Sequence, residues 1–281
     1  MRKKKKSFNP SVILVVAVMG LVIAYVVVRE SQGGRAQGRV KDYSLKFSPD
    51  FQPALSFRDD LGLSVVVAVD VSGSMTDRPS TGPQVAKYIQ ASAALTEVLK
   101  VLGGLVAPQK DGTSLLVKFS LISFSDEVRV LLPPTVLTAA SLGSLEAFAA
   151  APDNFKPGGS TAIGAAVEKG TEILAQSGTI MRSLIVITDG ENTAGVAPES
   201  VLDAVYANRN SASTAELPVT TSSTLVSFIG FDIDASRFAG LAEKGARVTG
   251  ASDQAQLVAE LRGLLEADIT KLESAAGPGG H

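Results

Sequence analysis

The chain has 281 residues, 45% of them hydrophobic and 19% charged, with a net charge of −2. That composition suits one packed domain of about 200 residues with a terminal appendage, and it excludes a disordered polyelectrolyte. There is no cysteine and the only histidine is the last residue, His281, so disulfides, thiolate or histidine zinc sites, and Ser-His-Asp or Cys-His catalysis are all excluded.

Residues 11–28, SVILVVAVMGLVIAYVVV, form an uncharged stretch behind Arg2 and Lys3 to Lys6. A helix of that length, at about 1.5 Å rise per residue, matches a bilayer's apolar core. Basic residues stay on the cytoplasmic side. The expected layout is therefore a cytoplasmic segment over 1–10, a single transmembrane helix over 11–28, and the rest of the chain outside the cell membrane. A cleavable signal peptide competes, but its apolar region usually runs about 7–15 residues, and no small-x-small site follows Val28. Five of the 26 basic residues precede residue 29 while all 28 acidic residues follow it, leaving 21 basic against 28 acidic, a net −7. An acidic external domain is a poor match for nucleic acid, whose phosphates call for clustered Lys and Arg. Residues 29–60 read as a linker, its first part Gly- and Gln-rich and flexible.

The domain is expected over 61–272, with a flexible tail over 273–281. Leu63–Val71 is almost continuously apolar and β-branched, as a central parallel strand buried on both faces should be. Gln84–Leu102 reads as a helix closed by Gly103-Gly104. Leu115–Phe124 and Val128–Leu132 form a hairpin that Pro133-Pro134 ends, and Ser141–Ala151 reads as a short helix. A helix opens after the Gly158-Gly159 loop, and Leu184–Thr188 is a second buried strand. Then come a helix over Pro198–Ala207, a strand over Leu225–Ile229, a short helix over Ser236–Lys244, and a final helix over Gln254–Leu272. This βαβ alternation predicts an α/β fold: a doubly wound, mostly parallel sheet with one antiparallel edge strand. In such folds ligands sit at the carboxyl ends of the strands, where the strand order switches.

Oxygen-bearing side chains gather at those ends. Asp70, Ser72 and Ser74 lie in AVDVSGSM, Thr161 in GGSTAIG, and Asp189 in IVITDGEN. Each segment alone has a plainer reading: Asp and Ser cap turns, Thr161 could be a helix N-cap, and Asp189-Gly190 could be a turn. Together, in this chain order, they resemble a von Willebrand factor type A domain across roughly residues 60–272. The resemblance implies a Rossmann-like fold in which the five residues form a metal-ion-dependent adhesion site. It implies hydroxyls from Ser72, Ser74 and Thr161, with Asp70 and Asp189 binding the metal directly or through water.

Three hydroxyls and two carboxylates leave Mg2+ or Mn2+ nearly neutralised yet electrophilic, so a partner protein's Asp or Glu is the natural further ligand. Glu191 is close enough in sequence to compete for that position unless Gly190 turns it away. Asp126 and Glu127 should occupy the hairpin turn, with Asp153, Asn154 and Lys156 on the rim. No G-x-x-x-x-G-K-[ST] run supports a nucleotide site. The expected function is a membrane-anchored, metal-dependent adhesion or assembly module, not an enzyme. A metal-stabilised structural subunit of an envelope complex and a metal-dependent hydrolase are the alternatives. Hydrolysis would need an Asp or Glu as general base.

Overall fold

A computed structural model describes residues 60–106, 115–211 and 223–276. The basic segment 1–10, the apolar stretch 11–28, nearly all of the linker and the last five residues lie outside the described residues.

Six strands form one sheet in the order β3-β2-β1-β4-β5-β6: β1 (Asp60–Asp70), β2 (Leu116–Phe124), β3 (Val128–Val136), β4 (Thr179–Thr188), β5 (Ser223–Phe231) and β6 (Arg247–Ala251). All neighbouring pairs are parallel except β2 with β3. This is the mostly parallel α/β sheet with one antiparallel edge that the alternation predicts.

The near-continuous apolar run of β1 works because both its faces are covered. Leu63, Val65, Val67 and Val69 enter one core, with Leu95, Val98 and Leu99 of α1 (Lys87–Val106), Leu145 of α2 (Ala139–Ala149) and Leu257, Leu261 and Leu265 of α6 (Gln254–Ala276). Val66 and Ala68 face the opposite core, with Ile163, Ala166 and Val167 of α3 (Ile163–Ala175), Val201 and Leu202 of α4 (Pro198–Ser211) and Leu241 of α5 (Ala239–Glu243). From β1 the sheet grows in opposite directions, to β2 on one side and β4 on the other. The carboxyl end of β1 is thus the point where strand order reverses.

Several boundaries differ from expectation, each for a tertiary reason. Strand β3 continues through Pro133-Pro134 to Val136. It is the edge strand, where a residue without an N–H is tolerated, and its pairing with β2 is irregular over this stretch. Helix α1 starts at Lys87 and runs through Gly103-Gly104 to Val106. A Cβ at Gly103 would lie 2.9 Å from Leu142 Cδ1, so this glycine admits α2 at close range and does not end the helix. Strand β4 begins at Thr179, before the predicted Leu184. Helix α2 begins two residues early because Thr138 and Ser141 form a capping box. Helix α6 extends to Ala276, past the predicted end at Leu272. Strand β6 was not expected: it has five residues, includes Gly250, and is only half-buried at the second edge.

Candidate metal centre

Asp70 is the last residue of β1 and Asp189 directly follows β4, its parallel neighbour. The two carboxylates therefore emerge side by side. Asp70 is wholly buried and spoken for on both oxygens: the Ser72 N–H donates to Oδ1 at 2.7 Å and the Thr188 hydroxyl to Oδ2 at 2.6 Å. A 3-10 turn over Gly73–Thr76 then lifts Ser74 toward Asp189. The Ser74 hydroxyl donates to Asp189 Oδ1 at 2.7 Å and lies 3.2 Å from the Ser72 hydroxyl.

Backbone bonds stitch the third segment to the other two. Gly158 N–H donates to Val71 O at 2.7 Å, and Gly73 N–H to Gly159 O at 3.1 Å. Gly158 and Gly159 have φ of 150° and 87°, which glycine adopts without strain. Thr193 and Ala194 N–H groups donate to Thr161 O at 2.9 and 3.2 Å, and the Thr161 N–H donates to the Thr193 hydroxyl at 2.8 Å. Thr161 is not the cap of α3; the N-cap residue is Ala162, with no side-chain bond. The Thr161 hydroxyl makes no hydrogen bond among the described residues. It points to Gly190, where an added Cβ would stand 3.8 Å away.

The five predicted residues thus come together from three loops. Asp70, Ser72, Ser74 and Asp189 form a continuous chain of polar contacts, and Thr161 is held beside Gly190. Among the described residues no group of three or more His, Asp or Glu side chains could hold a metal, so a cation here would depend on hydroxyl donors. This donor set supplies them, and its composition fits a hard, oxygen-seeking ion. Burial pushes the Asp70 carboxyl up to about 6, opposed by the bonds from Thr188 and Ser72 and reinforced by the Asp189 charge. The shift is chiefly one of desolvation, which disfavours the charged form of a buried carboxyl.

Two residues of the site were missed in the sequence. Lys87, 7% exposed, places Nζ 3.0 Å from Asp189 Oδ2 and 3.2 Å from Asp232 Oδ2. Burial works against its charge, but the bond and attraction of Asp189, then those of Asp232, outweigh it and hold the ammonium above its ordinary value. Burial likewise opposes the Asp232 charge, yet bonds from Ser80 and Lys87 keep its carboxyl below the usual range. With the helix read as opening at Gln84, Lys87 carried no signal of its own; only its observed place as the first helical residue, where the dipole disfavours a cation, sets it apart.

Glu191 does not join the cluster. It is exposed and paired with Arg237 at 2.7 Å. Asp126 sits in the turn after β2 and its Oδ1 accepts from the Ser160 N–H at 3.0 Å, which props the Thr161 loop. Glu127, Asp153, Asn154 and Lys156 line a cavity of about 280 Å3 with Val71 and Leu131. Asn154 also donates to Phe148 O at 2.8 Å, a structural bond.

Residues 65–191, which include all five predicted ligands, match the family model described as von Willebrand factor type A domain. The match runs over 127 of the 281 residues and, together with the fold, makes this part of the chain similar to a von Willebrand factor type A domain. Among solved structures, a von Willebrand factor type A protein from Catenulispora acidiphila is 14% identical with a TM-score of 0.53, covering 74% of this chain and 42% of its own. The PilB minor pilin from Streptococcus sanguinis is 15% identical with a TM-score of 0.56, covering 77% and 63%. Proximal thread matrix protein 1 from the mussel byssus, solved with a zinc-occupied MIDAS motif, is 16% identical with a TM-score of 0.51, covering 73% and 45%. At these identities the likeness is one of fold, and the chain spans less than two thirds of each of these proteins. A search of curated proteins finds no match.

Proposed function

We propose that this chain is a membrane-anchored protein-binding module whose metal-ion-dependent adhesion site captures a partner's Asp or Glu. Asp70, Ser72, Ser74, Thr161 and Asp189 would hold Mg2+ or Mn2+. When bound, the ion would supply a coordination position and positive charge for the visiting carboxylate. The observation that carries this reading is the run of contacts from Ser72 through Ser74 to Asp189, 3.2 and 2.7 Å, at the strand ends beside buried Asp70.

The wider likeness supports it: one neighbouring fold was solved with zinc in its MIDAS motif and another is a minor pilin. The apolar run at 11–28 supports the anchor. Among the described residues one helix, α1, is long and apolar enough to cross a membrane, but 44% of that window is buried inside the domain and it packs on the sheet. Binding is favoured over hydrolysis because the acidic groups near the donor set are engaged, Asp232 by Lys87 and Ser80 and Glu191 by Arg237.

The test is crosslinking in intact membranes, with and without EDTA, for the native chain and Thr161→Ala. Capture of one protein that is lost both on chelation and in the variant is the expected result. Capture unaffected by either change would sink the adhesion reading and favour a structural role.

A further inference from the structure

A lysine at the first residue of α1 stands against the positive end of the helix dipole, an unfavourable place unless an anion compensates. Here two do, Asp189 at 3.0 Å and Asp232 at 3.2 Å. Asp232 is itself held in an uncommon conformation, φ 57°, the only positive φ outside glycine among the described residues. It is kept there by the Ser80 N–H at 2.9 Å and by the Ser80 hydroxyl. A strained residue clamped on a nearly buried lysine, which in turn touches a ligand carboxylate, is the kind of arrangement that persists at functional sites.

We infer that Lys87 is the positioning and charge-setting residue of the metal site: countered by Asp232, its ammonium takes one oxygen of Asp189 and leaves the other, with the serine hydroxyls, for a divalent cation. The inference rests on the metal-binding reading above. Asp70, Asp189 and Asp232 bring three negative charges and Lys87 one positive, a net of −2 that a divalent cation neutralises. With Lys87 removed the cluster stands one charge more negative, so it holds the ion more tightly and leaves it less attractive to an incoming carboxylate. With Asp232 removed the cluster stands one charge less negative and holds the ion less well. A merely structural role makes a different prediction, since disturbing either residue would loosen the loops and weaken binding in both cases.

Calorimetric titration of Mg2+ and of Mn2+ into the purified full chain at pH 7.5 separates these. Lys87→Met binds each ion at least about tenfold more tightly than the native chain and Asp232→Asn at least about tenfold less, the scale expected for one unit charge roughly 6 Å from a divalent ion even at the screening of bulk water. Lys87→Arg, which keeps the charge, stays within about threefold of native. In EDTA, Lys87→Met melts lower than native, and Mg2+ raises its midpoint by more than it raises the native one. Weaker binding in both Lys87→Met and Asp232→Asn, or no change in either, overturns the inference while leaving the metal site standing. A native chain that binds neither ion overturns both. Should Lys87→Met not fold, Lys87→Gln takes its place with the same expected sign. If neither folds, Asp232→Asn decides, and unchanged or tighter binding there overturns the inference.

Discussion

Asp268 and Asp189 are both buried carboxylates that meet a basic side chain, and the two ion pairs are built differently. Arg247 on β6 meets Asp268 on α6 fork to fork, Nη1 to Oδ1 at 2.7 Å and Nη2 to Oδ2 at 3.1 Å, while its Nε donates to the Ser227 hydroxyl at 2.9 Å. That pair is closed: both carboxylate oxygens are used by one planar cation, and the geometry is the strong bidentate kind. At the metal centre Lys87 offers a point charge shared between two carboxylates, and the remaining oxygen of Asp189 is bonded only by a serine hydroxyl. The first pair ties helix to sheet. The second holds several oxygens together around an incomplete charge balance, which suits a site that exchanges an ion.

The contrast can be broken most forcefully at the closed pair. Arg247→Ala leaves the carboxylate of Asp268, 0% exposed, without its partner. Breaking a buried pair costs about 3–5 kcal/mol, which the 26% exposure of Arg247 reduces to about 2–4 kcal/mol. Urea unfolding should show that loss with Mg2+ affinity intact; a loss of Mg2+ binding would mean the two regions are not independent.

At the open cluster the corresponding experiment adds a ligand. Mg2+ at a hundred times its dissociation constant should stabilise the fold by about 2.7 kcal/mol, and EDTA should reverse it. Thr161→Ala should abolish that gain while changing metal-free stability by less than about 1 kcal/mol, because its hydroxyl makes no bond to lose. A thermal midpoint indifferent to chelation in the native chain would count against the site.

Smaller effects sharpen the comparison. Ser183 on β4 carries the one buried side-chain oxygen without a hydrogen-bond partner among the described residues. Ser183→Ala should therefore be neutral or stabilising, by no more than about 1 kcal/mol, since desolvation of an unsatisfied hydroxyl is relieved. A marked destabilisation would reveal a partner for it. Smallest of all, Glu191→Gln should leave Mg2+ affinity unchanged, because this side chain is 57% exposed and paired with Arg237. A shift there would return Glu191 to the metal's surroundings.

Legibility followed the reach of the interactions. The meeting of Asp70, Ser72, Ser74, Thr161 and Asp189 could be read because each sits where an apolar run or a glycine loop ends, and a strand end in a parallel sheet has one predictable location. Strand β1 could be read because burial on both faces forces an unbroken apolar run. Strand β6 could not, since Arg247–Ala251 is half-buried and its hydrophobic pattern is correspondingly faint. Pro133-Pro134 misled because proline excludes a central strand but not an edge, and edge status belongs to the sheet. Gly103-Gly104 misled because the glycine serves a helix-helix approach that local sequence does not record.

The order of buried strands and helices, the oxygen chemistry at two strand ends and one glycine loop, and the absence of histidine and cysteine chemistry were properties of the sequence by itself, because they depend on residue type and near neighbours. Only the tertiary structure brought Lys87 and Asp232, 145 positions apart, onto opposite sides of one ammonium, and sent Glu191 to Arg237 instead of the metal residues. Charge pairing across such separations depends on which loops the sheet brings together, and strand order is a global outcome of burying two apolar faces at once.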